Sequence, residues 1–537
     1  MTPLSFSFTS IYFLFFFLGA LLIYWFTPRR YRYISLLFLS LLFIALISWA
    51  SLFFLFFSIT VMYFCASGIS DNKEKEKEYL REHKGEMSLE EKKDYKKHGK
   101  RKRKSLLALG ISLNLVSLAV MKYINFFIDT MNGMIHWGAE NTSIPRITQW
   151  FLPLGISFYT FQAIAYLVDV YWEKIKPEKN YLKFSLFLAY FPKILQGPIV
   201  RYEEMEQTLF EEKEFSYSQF TDGLKRMLFG YFKKMVVADT LYVFIQFAFA
   251  HVADLSGSEA LLAIVLYFLQ DYCDFSGYMD IAIGLSDTLG IKLPENFRQP
   301  YLAENIDDYW RRWHITLGTW FKDYIFYPLS LSKFSLKLGK ASKKLMPNFG
   351  KKVPAIYGLF IVWFLTGLWH GASWNYVLWG LYYGAIIILE IILEPLTEKF
   401  LSLTHQSKKS VPYRIYEHLV CIFLLAIGKI LFMCSSLKDT GIFITKIFSG
   451  SNTYFDITNL NNQLGYLSVI FASVSYLPVL VIDIIQEAKP NTTFLTKFDS
   501  LKLYIQWPLL ILCGIATVWW GFYGSGLPHF AFGYTQF

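Results

Sequence analysis

Long apolar segments, separated by short polar ones, dominate this chain. The approximate apolar segments are 5–27, 35–68, 105–130, 151–172, 181–200, 224–250, 259–287, 353–370, 373–394, 411–436, 463–484 and 504–524. An α-helix needs about 20 apolar residues to cross a bilayer, and the segment 35–68 is long enough for a tight hairpin of two such helices. No segment shows the alternation, about ten residues long, of a transmembrane β-barrel strand. The sequence therefore predicts an all-α polytopic membrane protein with about 11–13 spans, plus re-entrant and interfacial helices.

Positive charge is concentrated in one polar segment. Residues 71–104 contain 14 Lys/Arg and 9 Asp/Glu, whereas the whole chain of 537 residues has a net charge of +10. Cytoplasmic loops carry such an excess of Lys and Arg, so we predict a basic cytoplasmic loop at 71–104 that contacts anionic headgroups. This distribution disfavours a nucleic-acid partner. We expect a multi-pass protein of the cell (cytoplasmic) membrane.

The sequence lacks the motifs of several enzyme classes. Its five cysteines form no CxxC pair and its nine histidines form no HExxH motif, so we expect no metal site. The absence of GxSxG, GxxxxGK[ST] and GxGxxG motifs disfavours a serine hydrolase, a P-loop ATPase and a dinucleotide enzyme. We expect no tightly bound cofactor. Without an internal repeat, we predict a single membrane domain over 1–537, with a polar loop at 437–462.

Some polar groups lie within the apolar segments, where such groups are costly and usually line a cavity or a substrate path. In the stretch 190–202, Pro192 and Gly197-Pro198 break any helix. Non-helical backbone at the depth of the membrane is tolerated only where it is buried in protein or lies beside water, because its polar groups need hydrogen-bond partners. Lys193, Gln196 and Arg201 then either satisfy this backbone or bind an anion, unless the stretch is a plain surface loop.

Three carboxylates interrupt the apolar run near residue 275. They are Asp271, Asp274 and Asp280. Carboxylates in lipid are too costly unless they are paired or hydrogen-bonded, so we interpret all three as structural groups in buried ion pairs. The predicted partners are Arg298, Arg311 and Arg312.

An amphipathic helix is predicted over 307–328. At 3.6 residues per turn, its apolar face consists of Trp310, Trp313, Leu317, Trp320, Phe321 and Tyr324. Its remaining surface is basic, with Arg311, Arg312 and Lys322. We expect an interfacial or re-entrant helix here, or alternatively a helix of the aromatic belt at the membrane surface.

His370 separates two long apolar runs. Gly367, Gly371 and Gly380 allow neighbouring backbone or a ligand to approach closely. A histidine among aromatic residues is commonly a satisfied core residue, but a buried neutral imidazole is also a natural general base. Two functions from different classes remain: a transferase that uses an intramembrane histidine, and a transporter or scaffold whose polar segments line a path. The inverted repeat typical of transporters is missing.

Six short strings carry a family resemblance. They are PLGISFYTF at 153–161, QGPIVRY at 196–202, DFSGYMD at 274–280, LPENF at 293–297, YWRRWHITL at 309–317 and GLWHGASW at 367–374. In this order they resemble the membrane-bound O-acyltransferase family, most closely its bacterial branch of alginate and polysaccharide O-acetyltransferases. The teichoic acid D-alanyl transfer protein belongs to the same wider family.

The resemblance implies a helical ring around a central tunnel, with a motif-bearing catalytic core at 150–380. It implies that His370 is the catalytic histidine and that His314 is the family's second histidine. It does not place the basic segment 71–104. The residues that we assign to donor binding or to the tunnel are Arg311, Arg312, Lys322, Trp313, Trp369, Asn375, Gln196 and Arg201.

The implied reaction is transfer of an acyl group, which we expect to be acetyl, to hydroxyls of an exported cell-surface polysaccharide. The implied donor is a cytoplasmic thioester, either acetyl-CoA or a phosphopantetheinyl carrier. A separate extracytoplasmic acetyltransferase protein is an alternative recipient of the group. The alternative reaction is D-alanyl transfer from a carrier protein to teichoic acid.

Overall fold

The structure is a computed structural model that describes residues 6–136, 144–147, 151–345, 347–448, 466–489 and 494–521. These residues are predominantly helical, and none of them belongs to a β-strand, although an isolated bridge joins Phe297 and Trp313. The predicted all-α class is therefore confirmed.

The described residues form a series of α-helices. In order they are α1 Ile11–Phe26, α2 Arg32–Ser48, α3 Ser51–Glu82, α4 Leu89–His136, α5 Ile156–Tyr171, α6 Tyr181–Ala189, α7 Phe191–Ile194, α8 Tyr202–Phe210, α9 Tyr217–Tyr231, α10 Asp239–Ala250, α11 Gly257–Thr288, α12 Ile306–Arg312, α13 Ile315–Phe321, α14 Tyr327–Ser330, α15 Lys333–Leu345, α16 Pro347–His370, α17 Trp374–Leu403, α18 Val411–Met433, α19 Leu437–Phe448, α20 Tyr466–Ser475, α21 Leu477–Ala488, α22 Phe494–Asp499 and α23 Leu503–Trp520. Turns of π-helix occupy Phe232–Ala238 and Lys322–Phe326, and 3₁₀ turns occupy Arg29–Tyr31, Val252–Asp254 and Pro300–Leu302.

Eight helical stretches of the described chain are long and apolar enough to cross a membrane. They are Arg29–Ser48, Ser51–Glu82, Leu89–Met134, Phe349–His370, Trp374–Leu403, Val411–Met433, Ser468–Ala488 and Leu503–Trp520. The hairpin predicted at 35–68 is confirmed as α2 and α3. The protein is thus a multi-pass membrane protein.

The predicted total of about 11–13 spans also counted apolar segments that do not meet this criterion. The helix α5 is only 16 residues long and is buried on all its faces, which is typical of a core helix. The segment 181–200 breaks after Ala189, immediately before the Phe191-Pro192 turn. The helix α11 is long enough to span, but its carboxylates interrupt its apolar character.

The chain forms two compact units. The first comprises residues 1–220 and 286–294, and the second comprises residues 221–285 and 295–537. In the first unit α3, α4 and α5 pack closely because Gly110 has no side chain: a Cβ there would lie 2.5 Å from Leu167 and 3.4 Å from Cys65. Across the same contact, the Ser58 hydroxyl donates to Asn114 Oδ1 at 2.5 Å.

The basic segment 71–104 is not an irregular loop. It consists of the end of α3, a turn over 83–88 and the start of α4, and we refer to it as the basic hairpin. Ser88 and Glu91 form a capping box at the start of α4, with Ser88 N–H donating to Glu91 Oε2 at 2.7 Å and Glu91 N–H donating to Ser88 Oγ at 3.2 Å. The prediction of a loop was therefore wrong in conformation, because two helices pack against each other along this segment.

Two further expectations from the sequence need correction. The predicted amphipathic helix over 307–328 is broken at Trp313-His314 into α12 and α13, and a π turn precedes α14. Five of the six residues of its apolar face are buried, so this face contacts protein instead of the membrane surface. The polar loop predicted at 437–462 begins with the helix α19, and residues 449–462 lie outside the described residues.

Candidate active site

His314 lies in the second unit in an unusual backbone conformation. Its φ of 49° and ψ of 50° place it in the left-handed region, which non-glycine residues seldom adopt. Neighbouring backbone fixes this geometry: Ile315 N–H donates to Asn296 O at 3.0 Å, and Arg298 N–H donates to Arg312 O at 3.0 Å. Strained residues that are held in this way are typical of functional sites.

Asn296 determines the tautomer of His314. The Asn296 side-chain oxygen accepts hydrogen bonds from the backbone N–H and the hydroxyl of Thr316, both at 3.0 Å. Because these two donors identify that atom as the oxygen, His314 Nδ1, which lies 3.3 Å from it, must donate. The lone pair of the neutral ring is then on Nε2. Burial lowers the pKa of His314 to about 3, so the ring is neutral at physiological pH.

His370 ends α16 and is buried among aromatic rings. Its ring lies edge-on to Trp379, with the ring centres 4.7 Å apart, and to Phe432, with the centres 5.4 Å apart. Immediately after it, Ser373 caps α17 by accepting a hydrogen bond from Asn375 N–H. The histidine thus lies at the turn between two packed helices.

The glycines near His370 let α16 and α17 approach at backbone distance. A Cβ on Gly380 would lie 2.3 Å from Trp363 O and 2.8 Å from Gly367 Cα. A Cβ on Gly371 would lie 2.2 Å from the Tyr376 ring. The expectation of close backbone approach is confirmed, and this approach fixes the position of His370.

Trp369 contacts both histidines. Its ring centre is 5.8 Å from that of His314 and 4.8 Å from that of His370. Only 2% of His314 and 3% of His370 is exposed. The structure therefore brings the two histidines, which are 56 positions apart in the sequence, into one buried aromatic cluster.

A cavity of about 670 Å³ adjoins His314. Asn296, which contacts the histidine, lines this cavity. Ile315, which follows the histidine in the sequence, lines it too. Charged groups of both signs line it as well, among them Arg226, Lys233 and Asp280. This cavity thus reaches the residue that orients His314.

One family model and several curated relatives match this chain. The MBOAT, membrane-bound O-acyltransferase family model matches residues 176–436. A probable alginate O-acetylase AlgI of Azotobacter vinelandii is 31% identical over 72% of this chain and 71% of the relative. The peptidoglycan O-acetyltransferase of Helicobacter pylori is 34% identical over 55% of this chain and 56% of its own length. The teichoic acid D-alanyltransferase of Bacillus subtilis is 30% identical over 46% of this chain and 61% of its own length.

The chain belongs to the membrane-bound O-acyltransferase family. It is accordingly an acyltransferase, and the resemblance seen in its six strings is confirmed. The chain spans about two thirds of the length of the alginate relatives.

In this O-acyltransferase the three carboxylates of α11 are paired, as predicted, but their partners differ from those predicted. Asp271 binds Lys429, and Asp274 accepts from Lys234 at 2.5 Å. Asp280 binds Lys233, and it accepts from Arg226 at 3.0 Å. The cations that pair with these carboxylates belong to the apolar segments 224–250 and 411–436. None of them is one of the predicted arginines.

Of the three basic residues that we assign to donor binding, one is buried and two are exposed. Arg312 is buried and forms ion pairs with Asp308 at 2.9 Å and with Glu487 at 2.7 Å. Arg311 is exposed and pairs with Asp307, one helical turn away. Lys322 is exposed on the π turn. Of the three, Lys322 has no ion-pair partner within the part of the chain that the structure describes.

The remaining assigned residues differ in their surroundings. Trp313 packs on Phe297, with the ring centres 5.0 Å apart. The Asn375 amide donates to Cys434 O at 2.7 Å, which ties it to backbone. Gln196 and Arg201 belong to the first unit. Both amide atoms of Gln196 are buried without a hydrogen-bond partner among the described residues.

Sequence reasoning missed the three lysines of the second unit that neutralise the carboxylates. Lys429 has an aromatic environment as well as a carboxylate partner. Its ammonium lies 5.1–5.6 Å from four ring centres and binds Asp271. The four rings are Tyr267, Phe268, Tyr301 and Trp313. A lysine within an apolar segment signals a buried partner, and this signal was present at 224–250 and 411–436. Asn296 lies in the string LPENF at 293–297, but nothing in that string indicates that it contacts a histidine.

Proposed function

We propose that this protein moves an acetyl group from a cytoplasmic thioester donor to hydroxyls of an exported cell-surface polysaccharide. The observation that carries the proposal is the shared contact of His314 and His370 with Trp369 inside a buried cluster. The names of the alginate and peptidoglycan relatives support a polysaccharide acceptor and an acetyl group. The proposed location is the cell (plasma) membrane.

In the proposed mechanism His370 is the general base. The acceptor hydroxyl loses its proton to the neutral imidazole while its oxygen attacks the thioester carbonyl carbon. The tetrahedral intermediate then collapses, the carbon–sulfur bond breaks, and the thiolate leaves with a proton returned from the imidazolium. Histidine catalysis of this kind accelerates a reaction by ~10²–10⁴-fold.

The tautomer of His314 restricts its role. A neutral ring that donates from Nδ1 to Asn296 has an acceptor at Nε2 and therefore cannot donate from Nε2 to an oxyanion. The sequence leaves three roles open for His314, namely orienting the acyl donor, stabilising the developing oxyanion and relaying the proton. The tautomer disfavours the second of them. We assign to His314 the orientation of the acyl donor, through a hydrogen bond that Nε2 accepts.

The donor is proposed to be acetyl-CoA or an acetylated phosphopantetheinyl carrier, neither of which is a tightly bound cofactor. A separate extracytoplasmic acetyltransferase protein remains an alternative recipient of the acetyl group. A second candidate function is D-alanyl transfer to teichoic acid, which the 30% identity to the Bacillus subtilis enzyme supports.

Identification of the transferred acid tests the proposal. Cells that lack the native gene would express the wild-type chain or an empty vector, and alkali-labile acids released from their surface polymers would be identified by mass spectrometry. The proposal predicts acetate that requires the wild-type chain. D-Alanine in its place would support the second candidate, and no chain-dependent acid in a host with a hydroxylated polymer would contradict both.

A further inference from the structure

The start of α4 carries an unusually dense cationic surface. Residues 92–104 contain nine Lys/Arg and a single acidic residue, Asp94. Of the nine cations, Arg103 is buried against Glu76 and Lys92 is half-buried. The seven others are exposed and have no ion-pair partner among the residues that the structure describes: Lys93, Lys96, Lys97, Lys100, Arg101, Lys102 and Lys104.

The basic hairpin is a stable support for these cations. Arg103 donates to Glu76 Oε2 at 2.7 Å and to Asn72 Oδ1 at 3.1 Å, which ties α4 to α3. Gly99 makes room for this pair, since a Cβ there would lie 2.3 Å from Glu76 Oε2. Nearer the turn, the Tyr79 and Tyr95 rings stack with their centres 4.4 Å apart. The cations are therefore displayed at fixed positions.

The exposed lysines nearest the turn reach beyond the bilayer. The apolar part of α4 begins at about Ser105, so Lys97 and Lys93 lie about 12 and 18 Å from it along the helix axis. The headgroup layer is about 5–8 Å thick, and the field of the lipids falls off within about 8 Å in physiological salt. Headgroups thus account for the cations at 100–104 better than for those at 93–97.

We propose that the basic hairpin is the docking surface for an acidic soluble protein that carries the acyl donor. This inference rests on the proposed function and on the cytoplasmic location predicted for the segment. The exposed cations extend from Lys93 to Lys104, about 17 Å of helix, which is wider than a single phosphate group and suits the surface of a small protein. Unpaired exposed cations of this kind steer the encounter with a partner of opposite charge.

Binding of an acidic carrier tests this inference. The full chain would be placed in nanodiscs of neutral lipid, and the association rate of a purified acetylated acyl carrier protein would be measured. The test variant is Lys93→Gln/Lys96→Gln/Lys97→Gln, which keeps good helix formers. The matched control is Lys337→Gln/Lys340→Gln/Lys344→Gln, which removes three exposed cations from α15.

We expect the hairpin variant to associate at least about tenfold more slowly at low salt, with the difference shrinking at high salt. The α15 variant should associate like the wild type. Equal rates for the wild type and the hairpin variant would overturn the inference, and so would an equal decrease in both variants. Ester formation is measured independently of carrier binding. A protein that forms esters but binds the carrier equally well with and without these lysines would overturn this inference and leave the proposed function intact.

Discussion

At the scale of single residues, Asn296 sets which nitrogen of His314 carries the proton. It does so through one oxygen that also holds Thr316, so the orientation of the amide is not free to reverse. Asn296 is 1% exposed and lines the cavity beside His314. We therefore regard it as a positioning residue for the second histidine.

Replacing Asn296 tests this role. Asn296→Leu should lower acyl transfer by about tenfold or more, by analogy with the loss when the hydrogen-bond partner of a metal-binding histidine is removed. Asn296→Asp should keep more activity, because a carboxylate also accepts from Nδ1–H. Transfer rates would be compared at equal amounts of folded protein. A wild-type rate for Asn296→Leu, or a failure of Asn296→Asp to exceed it, would contradict the assignment.

The low pKa of His314 predicts a pH-dependent stability. The folded ring has a pKa of about 3, whereas the unfolded ring titrates near 6.5, so below that pH the unfolded state binds more protons. Stability is then fully present above about pH 6.5 and decreases on acidification, by up to about 1.4 kcal/mol per pH unit. Thermal melts between pH 7 and 4.5 should show a shallower decrease for His314→Gln. Parallel curves for the two proteins would contradict this account.

At the scale of helix pairs, glycine contacts set the distance between α16 and α17. Gly380→Ala should destabilise the protein by about 1–3 kcal/mol, because its Cβ would collide with Trp363 O, which belongs to a rigid backbone. Gly514→Ala is the matched control, since a Cβ there meets nothing within 4 Å. Melting temperatures in detergent would measure both. Equal stability of the two variants would rule out this close approach.

The ion pair between Asp271 and Lys429 links α11 to α18. Lys429→Met leaves a buried carboxylate without its cation and should cost about 3–5 kcal/mol, seen as a loss of folded protein. The double variant Lys429→Met/Asp271→Leu removes both charges and should recover most of that loss. Yield and melting temperature would be compared for the two variants. A double variant no more stable than Lys429→Met would contradict a purely structural pair.

At the scale of the whole molecule, the sequence predicted what depends on local pattern. The apolar segments gave the all-α class, and the hairpin at 35–68 was correct, because a 34-residue run has room for two helices. The two histidines were placed by short strings and then found in contact with the same tryptophan. The prediction of one continuous helix over 307–328 was wrong. The helical periodicity of the sequence continues through His314, but tertiary contacts with residues 296–298 break the helix there.

The partners of the buried carboxylates could not be predicted from spacing. Lys233, Lys234 and Lys429 come from segments that are distant in sequence from at least one of their partners, and hydropathy treats them only as interruptions. The role of Asn296 was equally hidden, since it depends on a backbone bridge between residues 297 and 313. Which groups pair inside a membrane protein is a property of the packed helices.

The most direct test of the account is the dependence of ester formation on His370. Wild type, His370→Ala and the exposed control His251→Ala would be expressed at matched levels, and alkali-released acid would be quantified for each. The account predicts that His370→Ala loses transfer by about 10²-fold or more while remaining folded in the membrane, and that His251→Ala is unaffected. Full ester formation by His370→Ala would contradict the assignment of His370 as the catalytic base.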